Sequence, residues 1–126
     1  MSSITTILVI DDDPNVTASV RRGLESAGAY AVHTAHSGPE GLKTAAALRP
    51  DAILLDLMMP GMDGAEVARL LRQDQATSGI PCVFLTGMIG KEDAESFVGP
   101  ESEAIYLAKP ASLAEIEQAV TRALRR

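Results

Sequence analysis

The sequence predicts an α/β protein built on one doubly wound (βα)5 parallel sheet with the strand order 2-1-3-4-5. The first observation is that five short apolar segments alternate with five helix-like segments. Such strict alternation produces a parallel sheet with helices on both faces, joined by right-handed crossovers. The second observation is that three of the apolar segments are continuously apolar and two are mixed with polar residues or short. This difference separates central strands from edge strands.

The five predicted strands occupy residues 7–10, 31–35, 52–55, 82–85 and 104–107. The first, third and fourth are continuously apolar, as expected of strands that are buried on both faces. The second alternates with polar residues and the fifth is short and mixed, as expected at the two edges of a sheet. With the second and fifth strands at the edges, five βα units fit the order 2-1-3-4-5.

The predicted helices carry recognisable start and stop signals. Asp13 before Pro14 is typical of an N-cap with proline at the first helical position, and Gly28 is typical of a C-terminal stop. Three later helices begin with Ser or Asp followed by Glu three residues on, at positions 37–40, 63–66 and 112–115. The fourth helix, predicted at residues 92–98, is short and is the least clearly marked of the five.

Composition limits the classes of protein that fit. A length of 126 residues suits one domain, so residues 1–126 are predicted to form a single domain, with no effector domain in this chain, which is either a stand-alone protein or a fragment of a longer one. The net charge of −6 disfavours direct binding to nucleic acid. No apolar run approaches the roughly 20 residues of a membrane span, and no signal peptide is evident. These features predict a soluble, cytoplasmic protein without a nucleic-acid or membrane partner.

Polar residues follow the predicted strands at one edge of the sheet. Asp11 and Asp12 follow the first strand, Asp56 the third, Thr86 the fourth, and Lys109 the fifth. Carboxyl ends of parallel strands share an edge, and the first and third strands are neighbours at the switch point where ligands bind. The three aspartates are therefore expected to lie close together.

Three clustered carboxylates repel one another and raise one another's pKa values, and a hard divalent cation such as Mg²⁺ relieves that conflict. Lys109 supplies a further positive charge and Thr86 a hydroxyl donor. Phosphoryl transfer to a carboxylate needs such a set: a nucleophile, a metal, a cation and a positioning donor. Taken singly, the Asp11–Asp13 run is also typical of helix capping, Asp56 and Thr86 are also typical of turns, and Lys109 is also typical of a solvated loop.

Four segments resemble the motifs of response-regulator receiver domains, which have a flavodoxin-like fold. They are ILVIDDDP at 7–14, LLDLMMPGMDG at 54–64, FLTG at 84–87 and YLAKP at 106–110. The resemblance implies phosphorelay signalling in which Asp56 accepts a phosphoryl group from a phosphohistidine on a histidine kinase or a histidine phosphotransfer protein. It also implies a signalling domain rather than an enzyme, one that assists its own phosphorylation and dephosphorylation.

The resemblance further implies a Mg²⁺ or Mn²⁺ site formed by Asp11, Asp12, Asp56 and the backbone carbonyl of Met58. Thr86 and Lys109 would contact the phosphoryl oxygens. No other cofactor is implied.

Thr86 and Tyr106 would form a conformational switch, as the resemblance implies. The switch would change an output face made by the predicted fourth helix, fifth strand and fifth helix, which would bind a downstream protein. The protein would be a monomer or a phosphorylation-dependent dimer. The Lys109–Pro110 peptide bond would be cis.

Two other classes of protein compete with this interpretation. A phosphatase of the haloacid-dehalogenase type would use the Asp11 and Asp13 spacing, but Asn15 stands where Thr or Val is expected and the chain is too short. A flavodoxin-like cofactor binder or an inert interaction module would share the fold. The acidic cluster disfavours binding of a cofactor phosphate, and the complete residue set disfavours an inert module.

Overall fold

The computed structural model describes residues 4–87 and 105–125. These residues form a five-stranded parallel sheet in the order β2-β1-β3-β4-β5, which confirms the predicted topology. The strands are β1 (Thr5–Ile10), β2 (Tyr30–Ala35), β3 (Ala52–Asp56), β4 (Cys82–Thr86) and β5 (Ile105–Ala108).

Four helices pack on the sheet in the described part of the chain: α1 (Pro14–Ser26), α2 (Gly38–Leu48), α3 (Gly64–Gln73) and α4 (Leu113–Leu124). The last of these is the fifth helix of the sequence prediction. The helix predicted at residues 92–98, and with it part of the predicted output face, lies outside the described residues. None of the four described helices is long and apolar enough to cross a membrane.

The core consists of two apolar layers, one on each face of the sheet. Side chains of a strand alternate between faces, so Ile7 and Val9 join the layer under α1 and α4, whereas Leu8 and Ile10 join the layer under α2 and α3. All five residues of β3 are buried. Burial on both faces explains why this strand has no alternating pattern in the sequence.

The predicted helix starts are confirmed by side-chain caps. Asp13, Ser37, Asp63 and Ser112 each accept a hydrogen bond from a backbone N–H two or three residues on, and Ser112 with Glu115 completes a capping box. The caps begin each helix close to the carboxyl end of the preceding strand. They therefore fix where the strand-end loops, which carry the polar residues, enter the helices.

Candidate functional site

The register between β1 and β3 places Asp11 and Asp56 at the same height along the two neighbouring strands. Ile10 of β1 pairs with Leu55 of β3. The next residue on each strand is Asp11 and Asp56, so the two carboxylates leave neighbouring strands side by side. Both are almost fully buried, and Asp56 is only 4% exposed.

The same edge carries the threonine and the lysine. Thr86 ends β4 and pairs with Ala108 of β5, and the Lys109 N–H donates to the Thr86 carbonyl oxygen over 2.8 Å. Because β4 lies next to β3, Thr86 and Lys109 face the aspartates from the other side of the switch point. The structure thus brings together the strand-end residues that the sequence singled out.

The three aspartates form a compact acidic cluster. One carboxylate oxygen each from Asp11, Asp12 and Asp56 lies within 4.8 Å of the other two. Asp12 is exposed to solvent, whereas its two partners are buried. An all-oxygen cluster with one open side is the donor set that Mg²⁺ prefers, since this ion usually keeps several water ligands.

Lys109 partly neutralises the cluster. Its Nζ lies 2.5 Å from Asp11 Oδ2 and 3.5 Å from Asp56 Oδ1, and its side chain is 22% exposed. One ammonium group faces three carboxylates, so negative charge remains unbalanced among the described residues. The site therefore fits a divalent cation on charge as well as on ligand type.

The electrostatics of Asp56 follow from this crowding. Burial first, and then the negative charge of Asp11, raise the pKa of Asp56, which is about 6 on balance. Lys109 and the Met58 N–H, which donates to Asp56 Oδ1 over 3.3 Å, oppose the rise. For Lys109, burial lowers the pKa, but the hydrogen bond to Asp11 and the charges of both aspartates outweigh burial and leave its pKa raised.

Thr86 has a buried polar atom that makes no hydrogen bond within residues 4–87 and 105–125. The residue is 3% exposed, and its Oγ1 is buried and makes no hydrogen bond to the residues that the structure describes. Leaving a buried hydroxyl unpaired costs about 1–3 kcal/mol, so such an atom beside a charged cluster indicates a place for a ligand.

Tyr106 lies on the same side of the sheet as Thr86. It pairs with Phe84 across β4 and β5, and the two rings stack with centroids 5.5 Å apart. Residues two apart on a strand share a face, so Tyr106 is a diagonal neighbour of Thr86. This placement is compatible with the predicted switch, which stays a prediction.

One contribution at the site escaped the sequence interpretation. The backbone N–H of Asp13 donates to Asp11 Oδ1 over 2.9 Å, which orients the buried carboxylate. Asp13 also fills the capping role that the sequence predicts for it. The run of three aspartates was the available signal, because an Asp side chain often accepts from the N–H two residues on. The Lys109–Pro110 peptide bond is cis, as expected.

Fold and site together define a doubly wound α/β domain with an acidic, metal-compatible cluster at its switch point. Residues 7–121 match the family model of the response regulator receiver domain, and the chain belongs to this family.

Curated relatives support the assignment. The chain is 42% identical over 121 residues to the DNA-binding dual master transcriptional regulator RpaA of Synechocystis, covering 95% of this chain and 49% of that protein. It is equally identical, over 95% of this chain and 50% of the relative, to the response regulator MprA of Mycobacterium ulcerans. The chain therefore spans about half the length of the curated relatives it matches.

Solved structures agree with the fold. A putative response regulator from Chloroflexus aurantiacus superposes with a TM-score of 0.87 at 34% identity, over 98% of this chain and all of that one. The receiver domain of the sensor histidine kinase PA1611 from Pseudomonas aeruginosa gives 0.84 at 28% identity, over 98% and 100% of the two chains. That structure contains a magnesium ion coordinated in its active-site cleft.

The sequence predicted that the protein has no nucleic-acid partner, and the names of the relatives contradict this prediction. The Synechocystis relative is named as DNA-binding, and the Mycobacterium leprae relative PrrA, 41% identical, is named a transcriptional regulatory protein. The exclusion rested on the net charge of −6 over 126 residues. It was wrong because the charge of a stretch half as long as these relatives does not describe the surface of the longer proteins.

Proposed function

We propose that this chain accepts a phosphoryl group on Asp56 with the help of a divalent cation, Mg²⁺ or Mn²⁺. The observation that supports this proposal most directly is that the strand-end polar side chains surround one carboxylate, that of Asp56. Asp56 lies buried between the acidic partners Asp11 and Asp12 and the ammonium group of Lys109. At the same edge lies the Thr86 hydroxyl, which has no hydrogen-bond partner among the described residues.

The donor in this proposal is a phosphohistidine on a sensor kinase or a phosphotransfer protein. The P–N bond of the donor breaks and a P–O bond to Asp56 forms, while the electron pair of the broken bond returns to the imidazole ring. Little covalent chemistry is left for the protein, so positioning and charge stabilisation carry the catalysis.

Each side chain then has a defined task. Asp11, Asp12, Asp56 and the Met58 carbonyl would hold the cation, and the Asp13 N–H keeps Asp11 oriented. When bound, the cation supplies positive charge to the oxygens of the transferring group.

Lys109 would pair with the same oxygens, and Thr86 would donate its hydroxyl hydrogen to one of them. Gly87, exposed next to Thr86, leaves water access to the acyl phosphate, so the domain also assists its own dephosphorylation.

The signalling output in this proposal begins with Thr86. Its hydroxyl moves towards the phosphoryl group, and the diagonal neighbour Tyr106 follows into the space behind it. A local change of charge thereby biases a two-state surface. The names of the relatives make regulation of transcription the output we propose for the longer protein.

The test of this proposal is chemical labelling. Incubation with acetyl phosphate and Mg²⁺ is expected to add one phosphoryl group, seen by intact-protein mass spectrometry, that is stable in acid and released by base. Excess EDTA should reduce labelling to background, because the acidic cluster then repels the incoming phosphate. Labelling that proceeds equally well in EDTA would contradict the metal site, and labelling that resists base would contradict an acyl phosphate.

A further inference from the structure

The N-terminus of α3 is packed directly against the main chain of the acceptor. Gly64, the first residue of α3, is buried, and its N–H donates to the Leu57 carbonyl oxygen over 3.0 Å. A Cβ atom at position 64 would overlap the Asp56 carbonyl oxygen and would lie 2.8 Å from Leu57 Cα. Nothing larger than hydrogen fits between this helix and the Asp56–Leu57 peptide.

The other tightly packed glycines meet side chains instead. A Cβ at Gly41 would meet the end of the Ile10 side chain, and one at Gly38 would meet Met62. The atoms met at those two positions belong to side chains, whereas the peptide group met at Gly64 can move only with its strand or helix. Among the glycines that the structure describes, Gly64 is the one pressed against backbone.

This contact fixes geometry at the acidic cluster. The loop from Leu57 to Gly64 leaves β3 and returns to it, closed by the Gly64-to-Leu57 hydrogen bond. The loop carries Met58, whose N–H donates to Asp56 Oδ1. Displacing α3 by the width of a methyl group would therefore shift the Asp56–Leu57 peptide, Met58 and the Asp56 carboxylate together.

We propose that Gly64 is a positioning residue for the acceptor. Its missing side chain lets α3 hold the Asp56–Leu57 peptide at the depth where the Asp56 carboxylate meets Asp11 and Lys109. The expected effect of Gly64 on phosphorylation rests on the proposed function. Its expected effect on cation binding does not.

The test compares Gly64→Ala with two control variants. Leu71→Ala empties a buried position on the same helix, so it destabilises the fold without adding volume at the acceptor. Gly79→Ala adds the same methyl group where a Cβ would meet nothing within 4 Å. For each protein, Mg²⁺ affinity is measured by calorimetric titration, the labelling rate by acetyl phosphate, and the folded fraction by thermal unfolding.

We expect Gly64→Ala to weaken Mg²⁺ binding and slow labelling by about 10-fold or more while it is still folded, since misplacement by 1 Å can cost more than that. Leu71→Ala and Gly79→Ala should keep affinities and rates close to those of the wild type. If Gly64→Ala loses stability as Leu71→Ala does but binds Mg²⁺ and reacts like the wild type, the residue is merely structural and the proposal is wrong.

A second variant applies if Gly64→Ala shows no cooperative unfolding. Val67 is buried one turn further along α3, in the same apolar layer as Leu57, and Val67→Leu overpacks this end of the helix without changing Gly64 itself. Weaker Mg²⁺ binding by Val67→Leu supports the positioning role, and unchanged binding overturns it. If the wild-type protein binds Mg²⁺ but takes no phosphoryl group, the proposed function is wrong. The positioning role of Gly64 would then be judged from the Mg²⁺ affinities alone.

Discussion

Asp56→Asn is expected to abolish phosphoryl incorporation from acetyl phosphate. The amide has the shape of the carboxylate, so the packing around this nearly buried residue is retained, but its oxygen is too weak a nucleophile to form the acyl bond. Labelling followed by mass spectrometry should fall to background. Asp51→Asn, the same replacement at the opposite end of β3 on an exposed residue, should label like the wild type.

Asp56→Asn is also expected to change how the stability of the metal-free protein depends on pH. In metal-free protein the pKa of Asp56 is raised to about 6 from 3.8 by burial and by Asp11, so the folded state holds this proton more tightly than the unfolded state. Stability is therefore lost as pH rises from about 4 to above 6, by an amount on the order of a few kcal/mol. Asp56→Asn should flatten that loss in thermal unfolding scans carried out in EDTA.

Two results would contradict this account of Asp56. Labelling of Asp56→Asn at the wild-type rate would place the acceptor elsewhere. Equal pH dependence of unfolding in the two metal-free proteins would show that the carboxylate is not crowded by burial and by Asp11.

Lys109→Gln is expected to slow labelling by about 100-fold, which is typical for removal of one charged or hydrogen-bonding stabiliser of a developing negative charge. The Lys109 ammonium group is the nearest described cation to both Asp11 and Asp56, at 2.5 and 3.5 Å. Glutamine keeps a polar group of similar length, so the loss reports the charge. The rate is measured with acetyl phosphate at saturating Mg²⁺.

The metal-free stability of this variant should also fall. Removing the ammonium leaves two buried carboxylates facing each other, which costs on the order of 1–3 kcal/mol, since the Lys109 side chain is 22% exposed and solvent already screens part of its pairing. Added Mg²⁺ should reduce the difference in stability between Lys109→Gln and the wild type, because the ion supplies the missing positive charge. Lys43→Gln, on the exposed face of α2, removes the same charge and should change neither quantity. If the two variants behave alike, the effect belongs to net charge and not to the site.

The fold was predictable because its signals are local. Continuous apolar runs identified β1, β3 and β4 as central strands, and the alternating second run identified β2 as an edge. The caps at Asp13, Ser37, Asp63 and Ser112 lie where the sequence placed them, since an N-cap involves only residues within one helical turn. The exclusion of nucleic acid was wrong because charge was assessed for a chain that spans half of its relatives.

The sequence by itself determined the element order, the sheet topology and the set of strand-end residues that share one edge. Those properties follow from periodicity and from position along a strand. Only the tertiary structure decided that Lys109 lies closer to Asp11 than to Asp56, a contact between residues 98 positions apart. It alone also showed that Gly64 is pressed against the acceptor's main chain. Both facts depend on side-chain rotamers and on the depth at which a helix packs on the sheet, which no local pattern in the sequence encodes.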